Sequence, residues 1–435
     1  MDVNKIKCMF LVKSLTMKAL SYIIYLFILK NKGDIMKLDL KQLYMGVQTL
    51  TIYRNAAKDG CFAKFTEFLS CASRECDIYE KTKAYSSFVA LLYEKGGDFG
   101  LYISELLECD DNFYAKNYAS GKGITPSMTE SFKNELKFFS KLTDISSGEL
   151  LNGADLPLTL ARFDNTAVDF SVTIPARLAE SGKYGYGMYA KYGMFRADAS
   201  GKLAPVLSPD TVEITSLIGY DDERKQVIDN TRALLDGKPA ANVLLCGDAG
   251  TGKSSTVKAV ANMFKDEGIR LIELRKDQLG LLPDVMGEIA GNPLKFIIFV
   301  DDLSFACDDD GFGALKAALE GSASAKASNA VIYATSNRRH LVKETFSARQ
   351  GDEVHRRDTM EELMSLSERF GLTILFSKPA KALYLQIASA LVKENGIEMD
   401  EKELEIKAEA FALAKGGRSA RVAGQFADSL LTLGE

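Results

Sequence analysis

The sequence predicts an α/β fold in which a parallel sheet carries helices on both faces. From Ile214 onward, short apolar runs alternate with helical patterns, as expected where helices connect parallel strands. One of these runs ends in a glycine-rich loop, and beyond Pro379 only helical patterns follow. The candidate strands are 242–246, 269–274, 295–300, 330–335 and 372–376, and the candidate helices of a C-terminal lid are 380–394, 401–414 and 418–432.

The N-terminal half has a different pattern. Phe62, Phe65 and Leu69 recur at helical spacing, which favours a mostly helical domain. Farther on, the β-branched run over 167–174 favours strands. We therefore predict five regions: an N-terminal extension (1–35), a helical N-terminal domain (36–150), a strand-containing connector (151–212), an α/β core (213–378) and a helical lid (379–435).

The N-terminal extension contains an apolar run of 11 residues, Ala19–Leu29, between Lys18 and Lys30. A membrane-spanning helix needs roughly 20 such residues, so the run is too short to cross a bilayer. Three interpretations stay open: translation that begins at Met36, a peripheral or membrane anchor, and a native helix.

The composition favours a globular protein of the cytoplasm. Hydrophobic residues make up 46% of the 435 residues and charged residues 26%, and the net charge of −5 gives no overall attraction to nucleic acids or anionic membranes. The seven cysteines show no C-x-x-C spacing and there are only two histidines, which argues against a zinc site. Reduced thiols fit the cytoplasm.

A phosphate-binding loop is the strongest functional signal. It matches G-x-x-x-x-G-K-[ST] between a strand-like run, Val243–Cys246, and a helical pattern. Backbone N–H groups of such a loop and the positive end of the following helix bind phosphates. Lys253 would neutralise the β- and γ-phosphates of a nucleotide, and Ser254 would bind Mg2+. The predicted nucleotide-binding residues here are Gly247, Asp248, Ala249, Gly250, Thr251, Gly252, Lys253, Ser254 and Ser255.

A second strand-like run ends in two acids. The run over 295–300 is almost continuously apolar, as in a strand buried on both faces, and Asp301 and Asp302 follow it. Ligands of open α/β sheets bind at the carboxyl ends of the strands. We expect Asp301 to hold Mg2+ through its water shell and Asp302 to orient or deprotonate the attacking water.

Together these motifs resemble an AAA+ ATPase, and further segments continue the resemblance. The run over 331–337 is similar to the sensor 1 strand, which implies that Asn337 positions the hydrolytic water. The segment over 366–371 resembles the one that carries the arginine finger, which implies a catalytic role for Arg369. Ile218 and Gly219 lie in a segment that resembles the adenine-binding loop.

The segment over 416–423 resembles sensor 2, where an arginine of the lid reaches back to the phosphates. Two residues fit this role, Arg418 after a glycine pair and Arg421 at the start of a helical run, and the helical run favours Arg421.

Within AAA+ proteins the chain is most similar to an uncharacterised prokaryotic group of predicted ATPases. The similarity rests on 242–245, 301–305, 333–341 and 416–419. It implies ATP and Mg2+ as ligands and a homo-oligomer in which Arg369 serves the neighbouring site. The group has no established substrate, so the macromolecular partner stays unknown.

One departure concerns Asp302, because most AAA+ proteins have glutamate there. Aspartate is one methylene shorter, and a misplacement of about 1 Å can cost about 100-fold in rate. We therefore expect that the chain hydrolyses ATP slowly and uses the hydrolysis to act on a macromolecular partner.

Two alternatives are a nucleotide-controlled switch with little or no turnover, which the shorter acid favours, and a nucleic-acid-associated initiator or loader. The sequence has no helix-turn-helix signature or basic stripe to support the last.

Overall fold

The structure is a computed structural model that describes residues 38–74, 76–198, 200–303, 310–320, 328–337 and 368–433. The N-terminal extension lies outside the described residues, and so do 304–305, 338–341 and 366–367 of the motifs quoted above. The described chain separates into two compact units, 38–106 with 133–170 and 107–132 with 171–433.

The described residues from 38 to 150 are mostly helical, as predicted for the N-terminal domain, and three more helices follow between 170 and 191 in the predicted connector. These helices are α1 (Leu40–Gln48), α2 (Gly60–Ala72), α3 (Ile78–Glu94), α4 (Phe99–Glu108), α5 (Phe113–Ala119), α6 (Pro126–Thr143), α7 (Ser147–Gly153), α8 (Phe170–Ala179), α9 (Ser181–Tyr184) and α10 (Met188–Lys191).

Aromatic side chains form the core of the first unit. Phe65 lies between Phe88 and Phe99, with ring centroids 5.1 and 4.8 Å away, and all three are buried. The buried carboxylate of Glu135 accepts hydrogen bonds from backbone N–H groups of residues 51–53 at 2.8–3.1 Å. The carboxylate therefore holds this turn against α6.

The β-branched run over 167–174 forms no strand. It leads instead into α8, where Phe170 and Ile174 are buried one helical turn apart. The backbone N–H of Phe170 donates to Ser140 Oγ at 2.8 Å. Burial of one helical face therefore outweighs the local preference for strand.

The second unit contains a seven-stranded sheet in the order β2-β1-β4-β5-β6-β3-β7, parallel except for β2. The parallel α/β fold is confirmed. Strands β1 and β2, from the predicted connector, extend this sheet because β1 pairs with β4. The strands are β1 (Met194–Ala197), β2 (Leu203–Pro205), β3 (Val243–Gly247), β4 (Ile269–Leu274), β5 (Lys295–Val300), β6 (Ala330–Ser336) and β7 (Leu372–Phe376).

Both faces of the sheet are covered by helices. Phe296 and Ile298 of β5 enter one hydrophobic core and Ile297 and Phe299 the other, because neighbouring strand residues point to opposite faces. The first core includes residues of α13 (Leu282–Ile289) and α14 (Asp310–Glu320), and the second includes residues of α11 (Asp221–Leu235) and α12 (Lys253–Met263).

Three C-terminal helices form the predicted lid around a core of their own. Tyr384, Ala408 and Phe426, one from each helix, are buried in it. The helices are α15 (Lys381–Glu394), α16 (Glu401–Ala414) and α17 (Ala420–Leu433).

No helix in the described parts of the chain combines the length and the apolar character that crossing a bilayer requires.

Gly247, the last residue of β3, leaves no space for a side chain between β3 and β7. Gly247 has φ +134°, and a Cβ atom there would lie 2.0 Å from the backbone oxygen of Phe376. We predict that Gly247→Ala destabilises the fold by about 2 kcal/mol or more, because β3 and β7 must separate. Gly287→Ala is the control, since nothing lies within 4 Å of its added Cβ. Urea unfolding of both variants checks this, and equal midpoints would contradict it.

Candidate nucleotide-binding site

The register of the parallel strands brings the predicted site residues to one edge of the sheet. Gly247 of β3 lies opposite Phe376 of β7, and Cys246 lies opposite Ser336 of β6. Val300 of β5 lies opposite Ala334 of β6. The phosphate loop, the two acids and Asn337 all follow these strand ends, so they converge at the same edge.

The phosphate loop connects β3 to α12. Gly250 and Gly252 have φ +76° and +90°, values that side chains with a Cβ rarely adopt. Lys253 then begins α12, whose free N–H groups and positive dipole end face the loop. The arrangement is that of an anion site at a helix N-terminus.

Two further residues of the phosphate loop, Thr251 and Asp248, form hydrogen bonds that hold its shape. Thr251 Oγ donates to the backbone oxygen of Asp248 at 2.9 Å, and the Asp248 carboxylate accepts from the N–H of Lys378 at 3.0 Å. Ala249 lies in the bend, and Ser255 lies in the first turn of α12 with its surface half-buried.

Lys253 is a buried cation surrounded by oxygen atoms. Its Nζ donates to the backbone oxygens of Gly247 at 3.1 Å and Asp248 at 2.7 Å, and to Asn337 Oδ1 at 3.1 Å. Burial lowers the pKa of this amine, while the nearby carboxylates, Asp248 first, act in the opposite direction. The amine therefore lies where it can meet an anion held by the loop.

Oxygen atoms of Ser254 and Asp301 meet beside Lys253. Ser254 Oγ donates to Asp301 Oδ1 at 2.6 Å. Hydroxyl and carboxylate oxygens are the hard donors that suit Mg2+, which takes few protein ligands and completes its shell with water and phosphate. Among the residues that the structure describes, no group of three His, Cys, Asp or Glu side chains could hold a metal by itself. Ser254 and Asp301 supply only two ligands, so they fit a Mg2+ ion that also binds phosphate.

Asp302 and Asn337 are joined by a hydrogen bond. Asn337 Nδ2 donates to Asp302 Oδ1 at 2.7 Å, so Asn337 connects Lys253 to Asp302. Asp302 has φ +53°, in the left-handed region, and its N–H donates to Thr335 Oγ1 at 2.9 Å. Thr335 also contacts Asp301, and our sequence analysis missed it. Its position two residues before Asn337 was the available signal, since strand residues i and i+2 share a face.

The predicted adenine-binding loop lies between the sheet and the lid. Ile218 packs against the lid core, and a Cβ atom on Gly219 would lie 2.3 Å from Leu383 of α15. The ring of Tyr220 packs on Phe376 with centroids 5.2 Å apart, and its hydroxyl donates to the backbone oxygen of Ser377 at 2.6 Å. The loop is thus close to the phosphate loop, since Phe376 lies opposite Gly247.

The two candidate sensor 2 arginines have different surroundings. Arg418 forms two hydrogen bonds with the Glu409 carboxylate, at 2.8 and 2.6 Å, inside the lid. Arg421 lies against the phosphate loop, because its N–H donates to the backbone oxygen of Gly250 at 3.2 Å. This geometry favours Arg421 for contact with phosphates.

Arg369 lies at the amino ends of the strands, on the side of the sheet opposite the phosphate loop. It precedes β7, whose first residue Leu372 pairs with Val243 at the start of β3. The length of β7, about 16 Å at 3.3 Å per residue, separates it from its own phosphate loop. Arg369 has contacts within the chain, and it is half-buried.

Comparison with known proteins gives one family match. Residues 190–433, more than half of the chain, match the model of a family described as protein of unknown function (DUF815). A curated relative, the ORC1-type DNA replication protein 14 of Haloarcula marismortui, is 39% identical over 62 residues, which are 14% of this chain and 14% of that protein.

Structures of RuvB from Thermotoga maritima, a Holliday junction branch migration motor, are also similar. One covers 50% of this chain and 63% of its own at 14% identity with a TM-score of 0.34, and a single-residue mutant of the same motor covers 51% and 66% at the same identity with 0.36. The chain thus spans less than two thirds of these relatives. By its family match the chain belongs to the DUF815 family, and the match confirms the predicted resemblance to an uncharacterised group of proteins.

We predict that Lys253→Ala weakens ATP binding at least about 10-fold, or roughly 1.4 kcal/mol, because the loop loses its cation. Lys258→Ala removes a charge from the same helix away from the loop and is expected to bind ATP like the wild type. Calorimetric titration with ATP checks both, and equal affinities for wild type and Lys253→Ala would refute the phosphate loop.

Proposed function

We infer that this chain, which belongs to the DUF815 family, binds ATP with Mg2+ and hydrolyses the β–γ bond, slowly, to act on a macromolecular partner. The observation that carries this proposal is the contact chain at one edge of the sheet. Lys253 binds Asn337, Asn337 binds Asp302, and Ser254 binds Asp301, all through hydrogen bonds of 2.6–3.1 Å. The proposed phosphate-binding lysine, the proposed metal ligands and the proposed general base, Asp302, are therefore adjacent.

The residues divide the work of hydrolysis among them. The loop N–H groups and Lys253 hold the β- and γ-phosphates, and Ser254 with Asp301 would hold Mg2+, which neutralises developing charge. Asp302 accepts the proton of the attacking water, and Asn337 keeps the Asp302 carboxylate oriented. Arg421 adds positive charge from the lid. No covalent intermediate is needed, since phosphoryl transfer depends on positioning and electrostatics.

A nucleotide-controlled switch with little turnover is the second candidate. Two observations favour it, the short side chain of Asp302 and the hydrogen bond that Asn337 donates to its Oδ1. The hydrogen bond occupies Oδ1, so this oxygen can take a proton from water only after Asn337 moves away.

We also propose that the chain works as a homo-oligomer. Arg369 lies at the edge of the sheet opposite its own phosphate loop, so it would serve the site of a neighbouring copy. Such a head-to-tail contact either closes into a ring or extends as a helix. A nucleic-acid partner has support only from the name of the DNA replication relative, and the net charge of −5 does not favour it.

ATP turnover by the purified full chain distinguishes these candidates. The rate per subunit is measured against protein concentration, with and without single- and double-stranded DNA. A motor is expected to hydrolyse ATP faster per subunit as concentration rises, and a nucleic-acid loader is expected to respond to DNA. Tight ATP binding without turnover would support the switch, and a chain that binds no ATP would refute the proposal.

We predict that Asp302→Asn still binds ATP and Mg2+ but hydrolyses ATP roughly 100-fold or more slowly, because the variant keeps the size of the side chain and loses the base. Asp428→Asn, on the exposed face of α17, is the control and is expected to keep the wild-type rate. Steady-state phosphate release measures both. A wild-type rate in Asp302→Asn would remove this residue from the mechanism.

We predict that Arg369→Ala binds ATP normally but hydrolyses almost none, since an arginine finger is worth on the order of 1,000-fold or more. Mixing tests whether the site is shared. Arg369→Ala keeps an intact phosphate loop and Lys253→Ala keeps an intact Arg369, so their mixture is expected to regain turnover. If neither mixing nor concentration changes the rate per subunit, the chain acts as a monomer.

A further inference from the structure

A single hydroxyl group contacts both acids of the site. Thr335 Oγ1 donates a hydrogen bond to Asp301 Oδ1 at 2.6 Å and accepts one from the N–H of Asp302 at 2.9 Å. The side chain lies on β6 and only 2% of its residue surface is exposed. A hydroxyl can serve as donor and acceptor at once, and Thr335 uses both capacities on neighbouring residues.

The first consequence concerns the orientation of Asp301. Its Oδ1 accepts from Ser254 Oγ, from Thr335 Oγ1 and, at 3.2 Å, from the N–H of Asp302. Within the described part of the chain, Oδ2 accepts no hydrogen bond. Three donors on one oxygen hold the carboxylate in a single orientation, with the other oxygen left for a metal or its water.

The second consequence concerns the backbone of Asp302. With φ +53° this residue occupies the left-handed region, where a residue with a Cβ stays only if its surroundings hold it. Thr335 holds it from both sides, because its Oγ1 accepts from Asp302 and its backbone oxygen accepts from the N–H of Leu303 at 2.7 Å. The direction of the Asp302 side chain follows from this backbone conformation.

We propose that Thr335 is a positioning residue that sets the metal-binding carboxylate and the base together. It acts through Asp301 and Asp302, so this inference rests on the proposed function. Thr335→Val would keep the shape of the side chain and lose the hydroxyl. Thr335→Ser would keep the hydroxyl and lose only a methyl group.

The test compares these two variants with a matched control. Thr231→Val also removes a buried hydroxyl, one that bonds to Tyr333, but it lies on α11 away from the acids. The Mg2+ concentration needed for half-maximal ATP binding is measured by calorimetry, and the one for half-maximal turnover by phosphate release. Thermal unfolding reports stability for each protein.

We expect Thr335→Val to need about 10- to 100-fold more Mg2+, the usual effect of losing a group that orients a metal ligand. Thr335→Ser is expected to stay within about threefold of wild type, and Thr231→Val to lose stability without a change in Mg2+ dependence. If the Thr335→Val variant does not fold, Thr335→Ala gives the same comparison. A folded Thr335 variant without the hydroxyl that keeps the wild-type Mg2+ dependence would overturn the proposal.

The two proposals fail in distinguishable ways. If the wild type binds no ATP, the proposed function fails. If it binds ATP without hydrolysing it, the Mg2+ dependence of binding still decides the role of Thr335.

Discussion

The register between parallel strands is the constraint on which the candidate site depends. The site draws its residues from the ends of β3, β5 and β6, which are separate in sequence and meet only because these strands end at one edge. Gly247 shows how narrow the tolerance is, because the Phe376 carbonyl occupies the space that any larger side chain would need. A shift of β7 along β3 would therefore disturb the phosphate loop before any functional side chain moved.

The sequence predicted the central strands well because β3 to β6 are buried on both faces. Such strands form continuous apolar runs, and the five predicted runs differ from the observed strands by no more than one residue at each end. The run over 167–174 was misread because strand preference is local, whereas the burial of Phe170 and Ile174 depends on the tertiary fold. The addition of β1 and β2 to the sheet was missed for the same reason, since pairing with β4 leaves no signal in a four-residue strand.

The site residues also differ in how well the sequence predicted them. Residues that a motif specifies, such as Lys253 and Asp301, are recognisable because their chemistry requires fixed spacing. Thr335 belongs to no such motif, and its value comes from hydrogen bonds to residues 33 and 34 positions earlier in the chain. The choice between Arg418 and Arg421 likewise depended on a contact, the Glu409 carboxylate that engages Arg418 within the lid.

The hydrogen bond from the Arg421 N–H to the Gly250 carbonyl joins the lid to the phosphate loop. The lid has its own hydrophobic core, which holds α15, α16 and α17 together. Because Arg421 lies in the first turn of α17, a displacement of α17 would pull on the backbone of the loop at Gly250. The shape of the loop is therefore coupled to the position of the lid.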